Sequence, residues 1–110
     1  MGLDIRVYED EAGNRPFEKW FDDLPAAPAA KVQTAMARLE NGHRSHLAPV
    51  GQGVSEWKID WGPGLRVYLA FDGVVAVLLL GGGTKKRQQA AIETALARWS
   101  DYKRRKRRKD

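Results

Sequence analysis

Positive charge recurs at three separated places in this chain: Lys58, Arg66 and the run Lys85, Lys86, Arg87. Lys58 and Arg66 lie in segments of strand-like alternation, on the same face as Tyr68, and the alternation predicts that this face points away from the core. Such a cluster suits a phosphate. Arginine stays charged and can grip two phosphate oxygens at once. Lysine can act as a base only if burial or neighbouring cations lower its pKa well below about 10.4. Metal-free RNA hydrolysis asks for these groups: cations for the extra negative charge, plus an acid and a base of suitable pKa. A second arrangement fits the same residues, with Lys58 and Arg66 cross-paired to Glu56 and Asp60 on a solvated face. Periodicity alone favours this second arrangement.

The elements that must hold these residues can be read in order. Leu3, Ile5 and Val7 alternate with polar neighbours, which predicts a half-buried strand. Asn14 is placed to cap a short helix with Pro16 in its first turn and Phe17, Trp20, Phe21 and Leu24 on one face. Pro25 and Pro28 end that helix and begin another, whose stripe is Val32, Ala35, Met36 and Leu39, with Gly42 as C-terminal cap. Residues 43–53 show no period and several Gly, Pro and Ser signals, so they read as a loop.

Three strands follow. Trp57, Ile59 and Trp61 share one face of the first; a Gly-Pro-Gly turn leads to the second, with Leu65, Val67, Leu69 and Phe71 inward. Asp72-Gly73 is a hairpin signal, and the apolar run 74–80 predicts a strand covered on both faces. Beyond the triple glycine, Thr84 can cap a last helix with Ile92, Ala95, Leu96 and Trp99 on its apolar face. Three cations in its first turn oppose the helix dipole by about 0.3–1 kcal/mol each. The order β-α-α-β-β-β-α predicts an α+β domain with helices on one side of a mainly antiparallel, four-stranded sheet.

The chain has 110 residues, enough for one modest core, and no cysteine, which excludes disulfides and thiolate metal sites. Its net charge of +5 is uneven. Residues 103–109, KRRKRRK, carry seven cations, while residues 1–102 hold 12 basic and 13 acidic side chains. The tail has no apolar residue. It is therefore expected to be disordered, separate from a folded domain of residues 1–102, and to bind polyanions in a salt-dependent way. The N-terminus lacks the basic start and apolar run of a signal peptide, and the longest apolar run has seven residues against the roughly 20 of a membrane span. These features predict a cytoplasmic protein with no membrane partner. Gly-Gly-Gly-Thr-Lys-Lys lacks the spacing of a phosphate-binding P-loop, and His43 and His46 have no third metal ligand beside them.

The segments GVSEWKIDWGPGLRVYL and VLLLGGGTKKRQQAAIETALARW, with the DYK that follows, resemble the RelE/ParE superfamily of type II toxin–antitoxin toxins. Within it the chain is similar to the HigB-like addiction module killer branch, over roughly residues 3–102. The resemblance implies a compact RelE-like microbial RNase fold and a ribosome-dependent mRNA endonuclease, an mRNA interferase. In such a mechanism the message's own 2′-hydroxyl attacks the adjacent phosphate, with no metal or other cofactor. It implies proton transfer for Lys58, phosphate stabilisation for Arg66, and phosphate contact or leaving-group assistance for Lys85, Lys86 and Arg87. Tyr68 and the tail cations Lys103, Arg104, Arg105, Lys106, Arg107 and Arg108 would then contact RNA. The implied partners are mRNA, the ribosome and a cognate antitoxin of helix-turn-helix type, through which alone the toxin would reach operator DNA. Two positions depart from the RelE pattern. Asp60 stands where a second basic residue is expected, and Gln88 to Ala95 contains no tyrosine. Both departures suit a ParE-like inhibitor of DNA gyrase without nuclease activity, which shares the fold, while the charged tail alone would suffice for a non-catalytic member that only binds RNA or antitoxin.

Overall fold

A computed structural model describes residues 2–62, 64–74 and 76–109. Pro63 of the predicted turn, Val75 of the predicted strand, Asp110 of the tail and Met1 lie outside the described residues. The elements are β1 (Asp4–Val7), α1 (Pro16–Asp22), α2 (Ala26–Glu40), β2 (Leu47–Gly51), β3 (Val54–Ile59), β4 (Leu65–Asp72), β5 (Ala76–Thr84), a 3-10 turn (Lys85–Arg87) and α3 (Gln88–Lys109). The five strands lie in the order β1-β5-β4-β3-β2. β1 runs parallel to β5, and every other neighbouring pair is antiparallel.

The α+β class holds, but the sheet has five strands where four were predicted. The added strand is β2, inside the segment expected to be a loop. It is an edge strand, where Pro49 loses nothing by having no N–H to donate, and its pairing with β3 slips between Pro49 and Gly51. The helices also divide between the two faces instead of sharing one. α1 and α2 cover the face formed by Trp57, Ile59, Leu65, Val67, Leu69, Val77 and Leu79, with Phe17, Val32 and Leu39 packed on it. α3 covers the other face, where Ala95 and Trp99 meet Val54, Tyr68, Ala70, Leu78 and Leu80. Each of these large apolar side chains gains about 1.5–3 kcal/mol from burial.

The local signals are realised in part. Pro16 stands in the first turn of α1, but the N-cap is Arg15; the Asn14 backbone N–H instead donates to the Asp10 carboxylate at 2.9 Å, closing the preceding turn. Gly42, at φ +89°, ends α2 in the left-handed conformation expected of a C-terminal glycine. The triple glycine belongs to β5 itself. A Cβ on Gly82 would come within 2.4 Å of the Trp20 ring, so α1 can lie this close only over a bare backbone. Thr84 precedes the 3-10 turn without capping it through its hydroxyl.

The largest departure concerns the C-terminus. α3 continues as helix through Lys109, so the segment expected to be disordered is ordered. Two tyrosine–carboxylate contacts anchor it. The Tyr8 hydroxyl donates to Asp101 at 2.6 Å, and the Tyr102 hydroxyl donates to Asp72. Arg105 joins the first pair, donating to Asp101 and to the Glu9 carbonyl, and Lys106 joins the second at 2.7 Å. Hydrogen bonds from these donors hold both carboxyls below the usual range: from Tyr8, then Arg105, on Asp101, and from Lys106, then Tyr102, on Asp72.

Candidate phosphate-binding site

The hairpin of β3 and β4 sets the site. Its register places Lys58 opposite Arg66 and Glu56 opposite Tyr68, so all four side chains share the face that α3 partly covers. The expected adjacency of Lys58 and Arg66 therefore holds, but the expected exposure of the whole face does not. α3 lies across its inner part. Arg66 is 7% exposed and Tyr68 1%, whereas Lys58, beyond the helix, is exposed.

Glu56, only 2% exposed, is the centre of this buried polar group. Tyr68 Oη donates to its Oε2 at 2.8 Å, and Gln88 Nε2, from the first residue of α3, donates to the same oxygen at 2.9 Å. Arg66 Nε lies 3.4 Å away as a charge partner, but without hydrogen-bond geometry; this buried nitrogen has no hydrogen-bond partner among the described residues. Burial pushes the Tyr68 phenol far above its usual range, and the hydrogen bond to Glu56 and its charge add to the effect. Tyr68 therefore keeps its proton and donates it inward. A direct RNA contact, implied by the resemblance, is corrected: the ring is enclosed and its hydroxyl already engaged.

A small cavity of about 230 Å³ opens beside this group, lined by Lys58, Ile59, Asp60, Gly64, Leu65, Arg66 and Lys85. Gly64 lets the guanidinium reach it. At φ +90°, a Cβ there would stand 3.2 Å from Arg66 Nη1. The Lys85 backbone N–H donates to the Gly64 carbonyl at 3.3 Å, tying the start of the last helix to the β3–β4 turn. The cavity thus gathers three cations from β3, β4 and the 3-10 turn, with the Asp60 carboxylate on its wall. Lys58 is exposed, so a role in proton transfer would rest on its cationic neighbours Arg66 and Lys85 and not on burial.

The other predicted residues lie apart. Arg87 lines a separate cleft of about 430 Å³ with Trp20, Gly81, Gly82, Thr94 and Arg98. Lys86 is exposed in the 3-10 turn. Most tail cations have partners, on α3 itself or on the body. Lys103 stands over the Trp99 ring, Arg104 and Arg105 pair with Asp101, Lys106 pairs with Asp72, and Arg108 lies 3.8 Å from Glu11. Glu56 and Gln88 were missed as members of the site. The signal for Glu56 was its place on the same strand face as Lys58, directly across from Tyr68.

No family model matches the chain. An 80-residue stretch is 38% identical to a Haemophilus influenzae protein described only as uncharacterized, covering 72% of this chain and 81% of that protein. Among solved structures, an arginine-to-alanine double mutant of the Escherichia coli toxin RelE in the free state superposes with a TM-score of 0.66. That match covers 89% of this chain and 98% of RelE at 14% identity, which shows a shared fold.

Proposed function

The chain belongs to one family with the Haemophilus influenzae protein and has the fold of RelE, and on that premise we propose that it is the toxin of a type II toxin–antitoxin pair, acting as a ribosome-dependent mRNA endonuclease. The observation that carries the reading is the convergence of Lys58, Arg66 and Lys85 on one small cavity walled partly by bare backbone. Three cations around such a pocket suit a phosphodiester, and they would act most strongly as charge builds on it during attack by the neighbouring 2′-hydroxyl. Arg66 takes the phosphate-stabilising role, since a guanidinium keeps its charge when buried and offers two parallel donors. Lys58 takes the proton-transfer role at the cavity mouth, Lys85 and Lys86 hold the flanking backbone, and Arg87, in the separate cleft, contacts a phosphate further along the strand. The exposed sides of Arg104, Arg107 and Arg108 add non-specific attraction to RNA. The partners are mRNA on the ribosome and a cognate antitoxin.

The test is induction in living cells with mapping of mRNA 5′ ends. Cuts in phase with codons, abolished by Arg66→Lys, are expected; intact message during growth arrest would overturn the reading. A ParE-like action on DNA gyrase is the second reading. It is favoured by the tie between Arg66 and Glu56 and by the engagement of all three tyrosines with carboxylates. Gyrase–DNA cleavage complexes on induction, with message left intact, would establish it.

A further inference from the structure

Glu56 has no part in the roles above, yet it is a fully buried carboxylate. Taking a carboxylate out of water costs several kcal/mol unless its partners compensate, and a well-packed apolar side chain would commonly serve stability as well or better. Its hydrogen bonds are also oddly distributed. Tyr68 and Gln88 both donate to Oε2, whereas Arg66, which carries the opposite charge, approaches the same oxygen at 3.4 Å without forming a hydrogen bond. A carboxylate placed for stability alone would be expected to take the guanidinium in a close, two-point contact. Here the contact is loose on Nε, and Nη1 is directed toward Gly64, on the wall of the cavity.

We infer that Glu56 is a positioning residue for Arg66: held from β4 by Tyr68 and from α3 by Gln88, it sets the guanidinium by charge from behind while leaving its far edge for an oxyanion. Each part follows from geometry. Tyr68 stands directly across the ladder, and its enclosed hydroxyl fixes the carboxylate from one side. Gln88 fixes it from above, at the first residue of the helix that covers the face. With two neutral donors on Oε2, the carboxylate cannot turn fully to Arg66, so the guanidinium is oriented without being consumed. The unpartnered Nε is the cost of that arrangement, and an arriving anion meets the opposite edge of the guanidinium, at Nη1. The ligand half of the inference rests on the phosphate-site reading; the orientation half does not.

The test uses the full chain and observes the Arg66 Nε–H group by NMR, assigned by its absence in Arg66→Lys. In the wild-type protein this buried group should give a sharp, slowly exchanging signal, and a trinucleotide with 2′-O-methyl groups, which cannot be cleaved, should shift it on binding. Glu56→Gln keeps the shape but removes the charge. It should broaden or abolish the signal and weaken trinucleotide affinity about tenfold, with a far smaller effect on the signals of Trp57 and Trp99. Glu56→Asp keeps the charge and withdraws it by one methylene; it should do the same, and serves if the glutamine variant fails to fold. A purely structural role would lower the melting temperature yet leave the Arg66 signal of the folded protein unchanged, and that result in either variant would overturn the inference. If the wild-type signal ignores the trinucleotide while both variants still disorder Arg66, the phosphate-site reading fails and the positioning role stands.

Discussion

The two ends of α3 use the same chemistry in different surroundings. At its start, Tyr68, Glu56 and Arg66 form a tyrosine–carboxylate–cation group in which every member is nearly sealed from water. Toward its other end stand two groups of the same composition, Tyr8–Asp101–Arg105 and Tyr102–Asp72–Lys106, whose carboxylate side chains are each 18% exposed. Inside, water cannot replace a lost partner, so the group fixes geometry and any break is expensive. At the other end the tyrosines pack on the core but water and salt reach the carboxylates and cations, so those pairs hold the helix at less net energy apiece. Composition alone therefore does not say what a polar triad does.

This contrast can be broken most forcefully from the inside. Glu56→Ala leaves the Arg66 charge buried without a counter-ion and should cost about 3–5 kcal/mol of stability, read as a lowered urea midpoint. An acid titration should come next in size and act first on the far end of the helix. Asp72 and Asp101 are held below their usual range, so their stabilisation is complete above about pH 5 and is lost as pH falls below about 4, through the folded-state values. Far-UV circular dichroism between pH 7 and pH 3 should show loss of helix, and amide exchange should place that loss in residues 101–109 ahead of residues 88–95. Equal loss at both ends would remove the distinction. The smallest effect is expected from Lys106→Ala, about 0–1 kcal/mol, further reduced in high salt. A loss comparable to that of Glu56→Ala would show that the surface groups are as strongly coupled as the buried one.

How much of this was legible in the sequence depends on what each pattern encodes. Alternation gives parity, and it correctly set Trp57, Val67 and Leu69 opposite to Lys58, Arg66 and Tyr68. It does not say whether a face is covered. The hint lay in Val54, Ala70 and Leu80 on the same face as Arg66, and in the Ala95–Trp99 stripe that needed a surface to cover. β2 was hidden because Pro49 and its glycines mimic loop composition, while an edge strand tolerates both. The order in residues 103–109 was invisible locally: its anchors, Tyr8 and Asp72, lie far away in the chain. Gathering Lys58, Arg66 and Lys85 needed only strand register, and that part of the site was readable.

The parallel pairing of β1 with β5 also fixes a schedule. Asp4 meets Ala76, and the Tyr8 hydroxyl waits for Asp101, 93 residues later. At about 5–20 residues per second of synthesis, the first strand stays unpaired for roughly 4–14 s before its partner has even been made. Closing so wide a loop is a late event in folding. Assembly of the sheet is therefore a step that follows translation of most of the chain, and the Arg66 cavity, which needs Lys85 beyond the last strand, is among the later parts to form.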